Sequence, residues 1–178
     1  MTTLTIPVGP DDHVEGNRAA VCTLLEYGDY ECPHCGAAYP IVKRIQKHFG
    51  KQLSFVYRNF PLIQAHPNAE AAAETAEFAA THGKFWEMHD LLYENQQDLA
   101  VENLHKLAKS LKLAPKDLDK ALENQEFQPR VRADFVSGVR SGVNGTPTFF
   151  INGTRADVQA DYDSLITAIE DAISITGK

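Results

Sequence analysis

Two cysteines of the chain are separated by two residues, in the segment Cys32-Pro33-His34-Cys35. When such a segment begins a helix, the second sulfur lies about one turn beyond the first, within reach of it. A pair of this kind can exchange a disulfide with another molecule or bind a metal ion. The 178 residues contain only three cysteines, too few for a framework of structural disulfides. We therefore expect chemistry at Cys32 and Cys35.

The two cysteines are predicted to have different roles. Cys32 follows a predicted strand and begins a predicted helix, where free backbone N–H groups and the helix dipole favour a thiolate. A thiolate attacks disulfides, so Cys32 is the predicted nucleophile and Cys35 the resolving thiol. His34 can lower the pKa of Cys32 by adding positive charge or a hydrogen bond near the sulfur. Pro33 is a favourable first helical residue, because that position needs no N–H group.

One acidic residue, Glu26, interrupts the apolar segment 24–27 just before the cysteines. A carboxyl group buried there would have a raised pKa and could transfer a proton to or from Cys35. A carboxyl group that points outward at the end of a strand would need no such role. The pattern alone leaves both interpretations open.

Strands and a helix are predicted on either side of the cysteines. Residues 20–27 and 53–60 are apolar enough for strands that are buried on both faces. Between them, apolar residues recur at helical spacing from the cysteines to Gly50, a residue suited to a helix C-terminus. A strand, a helix and a strand in this order form a parallel unit with a right-handed crossover. Helical spacing then continues over residues 67–142.

The C-terminal part of the chain returns to strand patterns. Residues 148–151 predict a strand, and the Asn-Gly pair at 152–153 predicts a hairpin with an antiparallel strand over 155–160. Asp161 or Asp163 can cap a final helix. The helical block is therefore predicted to be inserted into an α/β unit.

Composition and charge restrict the classes of function. The hydrophobic fraction of 43% and the charged fraction of 23% are typical of a globular protein. A net charge of -7 disfavours a nucleic-acid partner. No segment has the run of apolar residues that a membrane span needs, and residues 1–7 lack the pattern of a signal peptide. We expect a cytoplasmic monomer, or a periplasmic protein if a signal peptide has been removed.

These motifs together resemble the DsbA-like branch of the thioredoxin superfamily. The resemblance runs from about residue 20 to the C-terminus. It is carried by the segments Cys32-Pro33-His34-Cys35, Phe60-Pro61-Leu62, His66-Pro67, Gly83-Lys84-Phe85-Trp86 and Gly145-Thr146-Pro147-Thr148.

The resemblance implies an α/β fold of the thioredoxin-like type with an inserted helical domain. Residues 19–62 and 140–178 would form the thioredoxin-like domain, and residues 63–139 the helical domain. Residues 1–18 lie outside the resemblance and are predicted to form an N-terminal arm, because they are rich in Pro, Gly, Asp and Asn and show no periodic pattern. The implied function is that of a protein thiol-disulfide oxidoreductase, acting on protein or peptide thiols and disulfides. A redox partner would recycle the cysteine pair, and no cofactor is expected.

The resemblance also implies roles for residues far from the cysteines. Pro147 is expected to be cis, and Thr146 and Pro147 are expected to lie against the cysteines. The backbone of Thr146 would there pair with an extended substrate peptide, as in strand addition. Glu26, six residues before the first cysteine, is implied as the buried proton-transfer group.

Two alternatives to this enzyme keep the cysteine pair but change its role. Cys32 and Cys35 could bind a metal ion with Cys22 or a histidine, although such sites usually show a second clustered pair of ligands. The chain could also be a binding module or chaperone of thioredoxin-like fold. Cys22 is otherwise expected to be an inert core residue. The redox direction is open, because Pro33-His34 favours oxidation and a cytoplasmic location favours reduction.

Overall fold

A computed structural model describes residues 2–176 of the chain. Within these residues, the strands are β1 (His13–Gly16), β2 (Cys22–Gly28), β3 (Leu53–Asn59), β4 (Thr148–Ile151) and β5 (Thr154–Arg155). The helices are α1 (Pro33–Phe49), α2 (Ala69–Ala80), α3 (Phe85–Glu94), α4 (Val101–Ser110), α5 (Pro115–Glu123), α6 (Gln128–Arg140) and α7 (Tyr162–Thr176). A short 3-10 turn, Gly50–Gln52, follows α1.

The strands form one mixed sheet in the order β1-β3-β2-β4-β5. β2 pairs in parallel with β3, with Leu24 opposite Phe55, and α1 connects the two strands. β4 lies antiparallel on the other side of β2, with Tyr27 opposite Thr148. The α/β fold is confirmed, with α2 to α6 inserted between β3 and β4 as the sequence predicts.

The central strand contributes to an apolar layer on each face of the sheet, because successive side chains point to opposite faces. Leu24 and Tyr57 belong to the larger layer, which includes residues of α1 and of the helical block. Leu25 and Phe150 belong to a smaller layer, against which Phe135 of α6 packs. β2, which leads directly to the first cysteine, is therefore held between two packed layers.

The N-terminal segment differs from the expected arm. Residues 13–16 form the edge strand β1, which pairs antiparallel with β3. Just before this strand, the buried Asp12 carboxylate accepts two hydrogen bonds from Arg58, at 2.8 and 2.9 Å. A strand of four residues is too short to show a clear alternation of apolar and polar residues, so the sequence pattern does not reveal it.

The prediction of an antiparallel strand over residues 155–160 is wrong in its extent, because β5 spans only Thr154–Arg155. Beyond this strand, the Ala156 amide donates one more backbone hydrogen bond to the Phe149 carbonyl of β4, at 2.9 Å. The chain then leaves the sheet to begin α7. Of the two predicted caps, Asp161 accepts the Ser164 amide hydrogen bond at 3.0 Å.

Candidate active site

The cysteine pair lies where the central strand ends and α1 begins. Cys32 is the residue before the helix, with extended backbone angles, and Pro33 is in its first turn. The Cys32 amide donates to the Asp29 carbonyl at 3.1 Å, and the Gly36 amide donates to the Cys32 carbonyl at 3.0 Å. Cys32 is 4% exposed, whereas Cys35 is fully buried. The nucleophile predicted from the sequence is therefore at the edge of the core.

The sulfur of Cys32 is stabilised as an anion. The hydrogen bond from the Cys35 thiol is the largest effect, and the resulting pKa of Cys32 is about 5 although burial acts in the opposite direction. Contact with Thr146 and the backbone amides of Cys35 and His34 lower this pKa further. His34 thus contributes its amide, while its side chain is exposed. At neutral pH, Cys32 is therefore mainly thiolate.

Cys35 is held in the opposite ionisation state. Both cysteines are free thiols. Burial, the hydrogen bond to Cys32 and the charge of Glu26 raise the pKa of Cys35 well above its usual value. The Asp29 amide also contacts the Cys35 sulfur at 3.5 Å. The arrangement offers one thiolate that can attack a disulfide and one neutral thiol that must lose a proton before it can react.

Glu26 is buried in the central strand, with 3% of its surface exposed. This position excludes the outward-pointing interpretation. Burial, with a smaller contribution from Cys32, raises the pKa of Glu26 to about 8. The carboxyl group is therefore neutral or only partly ionised at neutral pH, in the range where a group can both accept and release a proton.

Residues that are more than a hundred positions away complete the site. The Thr146–Pro147 peptide bond is cis. The Cys32 sulfur lies 3.4 Å from the Thr146 carbonyl oxygen, to which the thiol form donates. The Thr146 hydroxyl is buried and has no hydrogen-bond partner within residues 2–176. Next to these groups is a cavity of about 290 Å³, lined in part by His34, Pro147 and Val158.

Asp29 and His66 are site residues that the sequence pattern did not identify. The Asp29 carboxylate is buried and accepts hydrogen bonds from the amides of Glu31 and Leu62, both at 2.8 Å, and from His66 Nδ1 at 2.7 Å. Its backbone contacts both cysteines. Asp29 could have been identified from the sequence as an acidic residue that directly follows a buried strand, three positions before Cys32.

The part of the chain that the structure describes brings no three His, Cys, Asp or Glu side chains together as a metal site. Cys22 is fully buried in the larger apolar layer, and burial raises its pKa to about 11. A buried thiol with a raised pKa forms little thiolate, which agrees with the expectation of an inert core residue. Nor does any helix within residues 2–176 have the length and apolar character to cross a membrane.

Comparison with known proteins identifies the family. A family model described as Thioredoxin matches residues 9–171, so the chain belongs to this family. Oxidised BdbD from Bacillus subtilis is similar to it with a TM-score of 0.87 and 28% identity, covering 97% of this chain and 98% of BdbD. The family match makes the chain a member of the thioredoxin superfamily, and the similarity to BdbD agrees with the DsbA-like resemblance that its motifs predict.

Two further comparisons extend this result. The fold of α-DsbA1 from Wolbachia pipientis is similar with a TM-score of 0.78 and 17% identity, covering 97% of this chain and 96% of that protein. Among curated relatives, the Na(+)/H(+) antiporter NhaA 1 of Salinispora arenicola is 42% identical over 97% of this chain. The chain spans only 26% of that antiporter, about a quarter of its length.

The Asp29–His66 pair leads to a prediction about stability. Burial lowers the pKa of His66, but the hydrogen bond and charge of Asp29 outweigh it, so the pKa is raised. A raised pKa means that the folded protein binds the proton more tightly than the unfolded chain does. The resulting stabilisation is complete below about pH 6.5 and is lost as the pH rises through the folded pKa.

We therefore expect His66→Gln to reduce the free energy of unfolding most at low pH, with a smaller difference from wild type as pH increases. Urea unfolding at a series of pH values measures this difference. His48→Gln, at an exposed position, is the matched control. A His66→Gln difference that is constant with pH would contradict the ion pair.

Proposed function

We propose that this protein is a thiol-disulfide oxidoreductase that exchanges disulfides with protein substrates through Cys32 and Cys35. The observation that carries the proposal is the opposite ionisation of two sulfurs in hydrogen-bond contact. Cys32 has a pKa of about 5, and Cys35 stays protonated. Cys22, a core cysteine that lacks these contacts, has a pKa of about 11 because burial raises it.

Reduction of a substrate takes two exchange steps. The Cys32 thiolate attacks one sulfur of the substrate disulfide, which forms a mixed disulfide and releases the other substrate sulfur as a thiolate. Cys35 then gives its proton to ionised Glu26 and attacks the Cys32 sulfur. The Cys32–Cys35 disulfide forms, the second substrate thiolate leaves, and the two electrons remain with the substrate. Oxidation of a substrate dithiol is the same sequence in reverse.

The direction of net transfer follows from the stability of the reduced pair. A stable Cys32 thiolate favours the reduced form, which makes the disulfide form an oxidant. We therefore propose that the pair donates its disulfide to substrate dithiols wherever a redox partner reoxidises it. A location in the cytoplasm, where thiols are kept reduced, stays a prediction from the sequence and would favour the opposite direction.

The substrate segment is proposed to bind beside Thr146 and Pro147. An extended peptide that passes the cavity next to His34 can pair with the Thr146 backbone and place its sulfur near Cys32. Apart from its interaction with the Cys32 sulfur, the Thr146 hydroxyl has no hydrogen-bond partner within residues 2–176 and can bond to the peptide. Ion transport by the antiporter relatives is not part of the proposal, because the chain corresponds to a quarter of their length.

Serine variants of the three cysteines test the proposed reaction. In an insulin-reduction assay, we expect Cys32→Ser to have no activity, because no nucleophile remains. Cys35→Ser should accumulate mixed disulfides, since the resolving thiol is missing. Cys22→Ser is the matched control and should retain full turnover.

Two outcomes would favour the alternatives. A wild-type protein that binds unfolded chains without thiol-dependent turnover would be a binding module. Stoichiometric zinc that resists dialysis and is lost in both Cys32→Ser and Cys35→Ser would indicate a metal site.

The proton-transfer role of Glu26 gives a separate prediction. Glu26→Gln should slow resolution of the mixed disulfide by on the order of 10- to 100-fold at neutral pH, because Cys35 loses its base. In the wild-type protein we expect this rate to change near pH 8, where Glu26 ionises, and Glu26→Gln should lack that pH dependence. Rapid-quench trapping of the mixed disulfide measures this step, with the exposed Glu123→Gln as control. An unchanged rate and pH profile would show that Glu26 does not carry the proton.

A further inference from the structure

A glutamine of the helical block reaches the loop that carries the nucleophile. Gln96 lies two residues beyond the end of α3. Its side-chain Nε2 donates to the carbonyl oxygens of Tyr30 and Cys32, both at 2.8 Å. Both hydrogens of the carboxamide are therefore used on the backbone on either side of Glu31. None of the site contacts described above comes from the segment that follows α3.

The first turn of α1 is shaped to admit this side chain. A Cβ atom at Gly36 would lie 2.1 Å from Gln96 Oε1 and 2.8 Å from its Cδ atom, which is closer than atoms can approach. Glycine at position 36 thus lets the carboxamide lie against the helix. The Gly36 amide also donates to the Cys32 carbonyl. The Cys32 carbonyl therefore accepts two hydrogen bonds, one for each lone pair.

Fixing this carbonyl fixes the peptide groups that follow it. The amides of His34 and Cys35, which stabilise the Cys32 anion, are in the same turn. Without Gln96, the Cys32 carbonyl would keep one donor and the turn could rotate away from the sulfur. The carboxamide also directs the positive end of its dipole toward the backbone of Cys32. Both effects favour the thiolate over the thiol.

We propose that Gln96 is a positioning residue for the chemistry of Cys32, acting through the carbonyl groups of Tyr30 and Cys32. The inference rests on the proposed thiol-disulfide function and adds to it a contact between the helical block and the nucleophile. If Gln96 served only as a structural tether between the helical block and this loop, it would make the same hydrogen bonds, but its substitution would change only the free energy of unfolding. The two roles differ in what happens to the Cys32 sulfur.

Three substitutions at the contact separate these roles. Gln96→Met keeps the length of the side chain and removes its donors, whereas Gln96→Glu keeps the shape and places only acceptors against two carbonyls. Gly36→Ala displaces the Gln96 side chain from the opposite side, and we expect the fold to be retained because alanine favours the helix. Gln97→Met, at an exposed neighbouring position, is the matched control.

The measurements are the pH midpoint of Cys32 alkylation and the equilibrium of the pair with glutathione. We expect Gln96→Met and Gly36→Ala to raise the midpoint by about half a unit to one unit, and Gln96→Glu to raise it more. Because the reduced form loses stability, the equilibrium at neutral pH should shift roughly three- to tenfold toward the disulfide. The Gln96→Met/Gly36→Ala double variant should change little beyond either single variant, since both remove one contact.

If Gln96→Met and Gln96→Glu have the same alkylation midpoint and the same glutathione equilibrium as the wild-type protein, the proposal is wrong and Gln96 is only a tether. If Gln96→Met fails to fold, Gly36→Ala still decides between the two roles. Wild-type protein that lacks disulfide exchange would instead refute the proposed function. The alkylation midpoint would still show whether Gln96 acts on the sulfur.

Discussion

The negative charge on the Cys32 sulfur is the feature on which the proposed chemistry of this protein depends. Sulfur at this position receives hydrogen bonds from the Cys35 thiol and from backbone amides of the first turn of α1, and the pKa falls to about 5. These donors are available because the chain passes directly from a buried strand into a helix at this residue. The packed layers on both sides of β2 keep this junction in place.

The surroundings of Cys32 limit the number of competing negative charges. Cys35 and Glu26 are buried, and burial keeps their acidic protons in place near neutral pH. Asp29 is also buried, but two amides and His66 satisfy its carboxylate. Glu31 directs its carboxylate away to Asn68. The thiolate can therefore exist beside three acidic side chains without strong repulsion.

The sequence predicted those parts of the site that are encoded by local pattern. The spacing of Cys32 and Cys35, the apolar strand before them and the helix after them are visible in a short window of residues. Glu26 stood out as an acidic residue among apolar ones, but only packing decided that it is buried. His66 and Gln96 could not be found in this way, because each meets a partner 37 or 64 residues away in sequence.

A pH titration of the ultraviolet absorbance of the thiolate tests the central claim most directly. The reduced wild-type protein is titrated, and the signal of Cys32→Ser is subtracted to isolate one sulfur. A transition centred near pH 5 is the predicted result. A transition near the value of an ordinary thiol, about 8.5, would contradict the claim that the helix start holds Cys32 as an anion.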